Sequence, residues 1–72
     1  MAINSKARHD LTLRAIKREI SAGRDVAFWL DKAYTHLDNG LLNEDDIAEV
    51  EKLAQAYYDS LDAVENGREN TI

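Results

Sequence analysis

Between Asn43 and Asn66, apolar residues recur at Ile47, Val50, Ala54, Tyr57, Leu61 and Val64, with spacings that alternate between three and four. This is the a/d rhythm of a helix that buries one seam against other helices. Wound at about 100° per residue, Leu53 and Tyr58 widen the seam into a broad face, and Glu51, Gln55, Asp59 and Asp62 fall on the opposite side. Asn43 offers an N-cap, Glu44, Asp45 and Asp46 suit the positive end of the helix dipole, and Gly67 offers a left-handed stop. A helix over 44–66 is about 33 Å long. It is too apolar to stand alone in water, so the rest of the chain must cover it.

The covering elements are legible upstream. From Ser5, a candidate N-cap, the pattern is helical to Ala22, with Leu13, Ile16 and Ile20 sharing a face with His9. A second stripe of Ala7, Leu11, Ala15 and Ala22 runs along the other side, as expected either of a helix wedged between neighbours or set at an oligomer contact, or simply of alanine as a good helix former. Gly23 ends this helix, and Asp25 is the expected cap of a second one running to Asn39 and closed by Gly40. Its expected buried face is Val26, Trp29, Leu30, Ala33, Tyr34 and Leu37, while Phe28 points away, beside Lys32 and Thr35. Leu41 and Leu42 link it to the third helix through a compact hairpin.

These readings give an all-α, single-domain chain: a three-helix bundle with short turns, helices over 5–22, 26–39 and 44–66, a loose start at 1–4 and a frayed tail over 67–72. Helix two, about 21 Å long, falls roughly two turns short of helix three. Leu61 and Val64 then overhang unless helix one or a second subunit covers them, which favours a homodimer. At 72 residues the chain buries only about 60% of its unfolded surface, so association is the natural staple.

Composition and charge narrow the function classes. Cysteine is absent, which excludes a disulfide framework and a thiolate metal site. No apolar run approaches a membrane span and Met1–Asp10 lacks the apolar core of a secretory signal, so a soluble cytoplasmic protein is expected. Residues 1–24 carry six cations against two carboxylates, a net of plus four, whereas residues 25–72 carry three against twelve, a net of minus nine. Such a dipolar chain invites its ends to attract each other, within the bundle or between subunits.

Candidate chemistry is sparse. Aligning Gly40 with the sixth position of a calcium loop puts Thr35 and Leu37 at the first and third positions, which lack the required carboxylates. A helix-turn-helix reading fails on sign, because the would-be recognition helix opens with Glu44, Asp45 and Asp46 where phosphates require cations. Arg14, Lys17 and Arg18 form a basic face on helix one, but without aromatic or base-reading companions it reads as a solvated or partner-facing side, which argues against direct nucleic-acid binding. His9 and His36 stand near no serine or cysteine nucleophile in an interpretable spacing, and no phosphate loop or nucleophile elbow is present. No catalytic residue, cofactor or metal site is therefore expected, and the chain reads as non-enzymatic.

The residues that remain are those of an interaction surface. Phe28, Leu11, Leu61 and Val64 are the candidate interface positions, toward a protein partner or a second copy. Glu44, Glu51, Asp59 and Asp62 form an acidic face that raises the alternative of a nucleic-acid mimic, inhibiting a host nucleic-acid-binding protein.

Around the hairpin, the residues Ile16, Lys17, Val26, Phe28, Gly40, Leu41, Leu42, Asn43, Glu44, Asp45, Asp46 and Ile47 resemble the XkdX-like small proteins of phages and prophages. The same hairpin pattern is similar to that of the short C-terminal oligomerisation modules known as SHOCT. The resemblance spans less than half of the chain, which departs from both families in its long third helix and its extra residues between Gly23 and Gly40. It implies a small phage- or prophage-encoded protein and leaves the activity open.

Overall fold

The computed structural model describes the backbone of residues 5–70 and side chains through residue 63. Expectations for residues 1–4, for Thr71 and Ile72, and for the side chain of Val64 lie outside the described residues. The chain is an all-α three-helix bundle: α1 (Ser5–Ser21), α2 (Val26–Asp38) and α3 (Glu44–Asn70), with every helix packed against the other two. Short turns over 22–25 and 39–43 make consecutive helices antiparallel.

The apolar stripes meet in a core of Ile16 and Ile20 from α1, Val26 and Ala33 from α2, Leu42 from the hairpin, and Ile47, Val50 and Ala54 from α3. Leu13, Trp29, Leu30, Leu37, Leu53 and Tyr57 pack around it, half-buried. Leu42 is almost wholly buried, so the second apolar residue of the hairpin is core as well as connector. Tyr34, read as part of the buried face of α2, instead lies on the surface and donates its hydroxyl to Glu51 Oε2 at 2.6 Å. It sits at the flank of the stripe, where a phenol keeps its ring against α3 and its polar end wet.

The two turns end and start their helices by different devices. At the α2–α3 hairpin, Gly40 adopts φ 84°, its N–H bonding to Leu37 C=O, and Leu42 N–H reaches back to His36 C=O. Asn39 Oδ1 accepts Leu41 N–H and fixes the next residue of the turn. At the α1–α2 turn, Gly23 is left-handed at φ 74° and Asp25 is too, at φ 48°. Asp25 does occupy the N-cap position, but its side chain makes no capping hydrogen bond. The turn is short enough to need a second left-handed residue there, a geometry that Asp tolerates better than most.

Gly23 and Gly40 therefore differ in what a side chain would meet. A Cβ at Gly23 approaches Tyr57 Cε1 at 3.0 Å, whereas at Gly40 it meets open space. Gly40→Ala is expected to cost about 1 kcal/mol, the ordinary left-handed penalty. Gly23→Ala is expected to cost visibly more, because Tyr57 must also shift. Urea midpoints of the two variants check the order.

The third helix does not stop at Gly67 but continues to Asn70. Glycine inside a helix costs only about 1 kcal/mol relative to alanine, and acts as a stop only where the chain beyond has somewhere to turn. The body of the bundle is shorter. Among the described side chains of α3 the last buried one is Ala54, Tyr57 is half-buried against Gly23, and residues 58–63 are all exposed. Beyond Tyr57 the turn over 22–25 has already carried the chain from α1 into α2, so the described part of the seam over 58–63 is left uncovered.

Candidate functional site

The start of α3 holds the most closely connected polar cluster. Asn43 Oδ1 accepts Asp46 N–H at 2.9 Å while Asp46 Oδ2 accepts Asn43 N–H at 3.0 Å, a reciprocal capping box. Asp46 is also the buried charged residue of the core margin, and its Oδ2 takes a 2.6 Å hydrogen bond from His9 Nε2 on α1. The other ring nitrogen, Nδ1, faces Asp10 Oδ1 at 2.9 Å. An imidazole with a carboxylate at each nitrogen satisfies both only when both nitrogens carry protons. Accordingly the Asp10 hydrogen bond, and after it that of Asp46, raise the His9 pKa above its ordinary value against a smaller opposing effect of burial. Asp10 also accepts from Lys6 Nζ at 2.9 Å, and Lys6 followed by His9 holds its carboxyl below the usual range.

This cluster is a structural clasp. The carboxylates lie on opposite ring nitrogens and do not converge on one point, and among the described residues no group of three or more such side chains could hold a metal ion. His9 as the edge of the core was legible from its position beside Leu13 and Ile16. Its tie to Asp46 was not, although the Asn-x-x-Asp spacing at 43–46 signals the capping half of the arrangement.

The basic face of α1 is partly used within the fold. Lys17 Nζ pairs with Glu49 of α3 at 2.9 Å, and Arg18 Nε stands 3.6 Å from Glu19, which Arg24 Nε engages at 2.6 Å. Arg24, the first of these influences, lowers the Glu19 pKa. Arg14 is exposed and has no ion pair among the described residues. Together with Leu13, Lys17, Arg18, Ser21 and Leu53 it borders a shallow open groove between α1 and α3.

Of the acidic residues, Glu44, Glu51, Asp59 and Asp62 are all exposed along α3. Glu51 is engaged by Tyr34, and Asp59 accepts Gln55 Nε2 at 2.9 Å. The hydrogen bond to Glu51 is also the leading reason that the Tyr34 pKa is raised.

The apolar candidates are on the surface but do not gather into one patch. Leu11 is 54% exposed and lies two residues from His9, near the start of α3, whereas Phe28 (47%) is in the first turn of α2 at the other end of the bundle. Phe28 stacks edge-to-face on Trp29, with ring centroids 5.1 Å apart, and Lys32 Nζ stands 5.5 Å from its ring centre. These contacts give the outward aromatic neighbours within its own helix. Leu61 (43%) and Tyr58 (39%) share one face of the exposed part of α3, and Tyr58 packs edge-to-face on Tyr57 with centroids 5.3 Å apart. Tyr58 was read as covered and is instead part of this surface. Among the described residues no helix is long and apolar enough to cross a membrane. No protein-family model, curated protein or solved structure matches the chain.

Proposed function

We propose that this chain is a small non-enzymatic protein-interaction module, working by offering the end of α3 to another protein. The observation that carries the reading is the continuation of the apolar seam past the point where α1 and α2 stop covering it: Tyr58 and Leu61 are exposed side by side on a helix that runs on to Asn70. A seam of this kind is stable in water only at a cost, and a packed helix from elsewhere removes it. The hairpin resemblance to small phage proteins supports an accessory role within a larger phage-encoded assembly.

The test compares wild type with Leu61→Glu by sedimentation equilibrium at rising concentration and by affinity capture from host lysate. Self-association or a captured protein that the substitution abolishes, at unchanged helicity, is the expected result. A wild type that remains monomeric and captures nothing that Leu61→Glu does not also capture would sink the reading.

The alternative, an acidic mimic of nucleic acid, is favoured by the row of exposed carboxylates at Glu44, Glu51, Asp59 and Asp62. It requires a salt-sensitive complex with a nucleic-acid-binding protein that Glu51→Lys, Asp59→Lys and Asp62→Lys together abolish while Leu61→Glu leaves it intact.

A further inference from the structure

The start of α1 is attached to the bundle differently from the rest of that helix. None of the side chains from Ser5 to Thr12 is buried, and Leu11 is among the most exposed apolar residues of the chain. Among the described residues, burial on α1 begins with the half-buried Leu13 and becomes complete at Ile16 and Ile20. The first two turns or so therefore lie outside the core. What ties them to another helix by a described side-chain hydrogen bond is His9 Nε2 on Asp46 Oδ2, at 2.6 Å.

That tie needs a proton. His9 stands between two carboxylates on opposite ring nitrogens, and a neutral imidazole has one N–H to offer them. Without the second proton one carboxylate meets a lone pair, and the charge assistance is lost at both. We propose that the Asp10–His9–Asp46 cluster is a pH-operated latch: imidazolium His9 holds residues 5–12 on the start of α3, and its deprotonation lets them open locally while the core stays packed. The hollow bordered by Ser5, Arg8, His36, Asn39, Gly40 and Leu41 places the first turn of α1 beside the α2–α3 hairpin, so opening bares that hairpin.

The charges around the ring agree with this direction. On α1, Lys6 Nζ holds Asp10 Oδ2 and leaves Oδ1 to the ring. On α3, Glu44 and Asp45 share the first turn with Asp46 and add negative charge, while Glu49 is taken by Lys17. On α2, His36 and Asp38 lie at this end of the bundle, and His36 Nδ1 stands 3.4 Å from Asn39 Nδ2. His36 is thus the other group that could titrate here, and the test must separate it from His9.

The experiment is native-state amide exchange on the full chain from pH 5.5 to 9, corrected for intrinsic exchange and repeated at low urea concentrations. The expected result is a loss of protection of at least tenfold at residues 9–12 as pH rises, with a midpoint that follows the His9 ring titration. At high pH the exchange of these amides should be indifferent to urea, the mark of local opening, whereas amides of 50–54 should remain far better protected and respond to it. Asp46→Asn keeps an acceptor for Asn43 N–H but removes the charge, and should shrink the pH step at least threefold. His36→Gln and Leu61→Glu should leave the step in place.

Protection at 9–12 that ignores pH, or that falls only together with that of 50–54 and with the same urea dependence, would overturn the proposal and leave the cluster a purely structural clasp. A step abolished by His36→Gln would overturn it as well. The latch lies at the opposite end of α3 from Tyr58 and Leu61, so neither outcome bears on the interaction reading.

Discussion

Val50→Asp is expected to abolish folding of the whole chain at neutral pH. Val50 is completely buried where the three helices meet, beside Ile47 and Ala54 of its own helix and the stripes of α1 and α2. A carboxylate there has no described cation to pair with and must either unfold the bundle or be neutralised, at a cost of several kcal/mol. A domain of this size has a total stability of about 4–10 kcal/mol, so a loss of that order consumes most of it. Far-UV circular dichroism and a thermal melt should show a non-cooperative chain of reduced helicity. Ile16→Ala serves as a graded comparison: it removes a fully buried side chain without adding charge and should cost about 2–5 kcal/mol, leaving a folded but weakened protein. If Val50→Asp melted cooperatively near the wild-type temperature, the packing of α3 between α1 and α2 would be wrong.

The second large effect belongs to the His9 clasp and takes the form of a pH profile. His9 has a folded pKa above its ordinary 6.5, raised first by the hydrogen bond to Asp10 and then by that to Asp46. Because the folded state holds the proton more tightly than the unfolded chain, this contribution is fully present below pH 6.5 and is lost as pH rises through the folded pKa. Asp10 and Glu19 have lowered pKa values, so their contributions are present above the ordinary carboxylate range and are lost as pH falls. Stability should therefore peak on the acid side of neutrality and decline on both sides. The urea midpoint measured from pH 4 to 9 checks this. His9→Gln should flatten the alkaline limb and make the acid limb shallower, because His9 also helps to lower the Asp10 pKa, while the Lys6 and Glu19 contributions remain.

Asp46→Ala should be more damaging than either single contact implies, since it removes the carboxylate that accepts Asn43 N–H and one anchor of His9 together. The bond from Asp46 N–H to Asn43 Oδ1 survives it, so the N-cap itself is kept. An alkaline limb unchanged in His9→Gln would show that the ring contributes only shape. Neither variant touches Tyr58 or Leu61, so both are expected to leave the exposed face of α3 intact while the fold persists.

Periodicity and end signals carried most of the fold. Ile16, Ile20, Val26, Ala33, Ile47, Val50 and Ala54 were all legible as core because a 3.6-residue rhythm places them on one face, whatever that face meets. Gly23 and Gly40 were legible as helix ends for an equally local reason, the left-handed turn that follows them. Gly67 carried the same signal and ended nothing, since a glycine marks permission to turn and the turn itself depends on contacts made beyond it.

The candidate surface was readable only in part. Apolar residues at Leu11, Phe28 and Leu61 could be named from their helical positions, but their separation over different helices and ends of the bundle depends on how those helices stand against one another. Tyr34 and Tyr58 show the same limit. Each lies at the margin of an apolar stripe, where a rotation of the helix by a few tens of degrees decides between core and surface.

Sequence alone determined that this chain is three amphipathic helices with a long acidic third, because helix formation, capping and facial segregation are set by residues within a few positions of each other. Tertiary structure alone decided that His9 and Asp46, thirty-seven positions apart, share a hydrogen bond, that Asp25 takes a left-handed turn, and that residues 58–63 of α3 lie beyond the core. These depend on where α1 ends and on the angle at which it meets α3, which are global packing choices that local patterns do not encode.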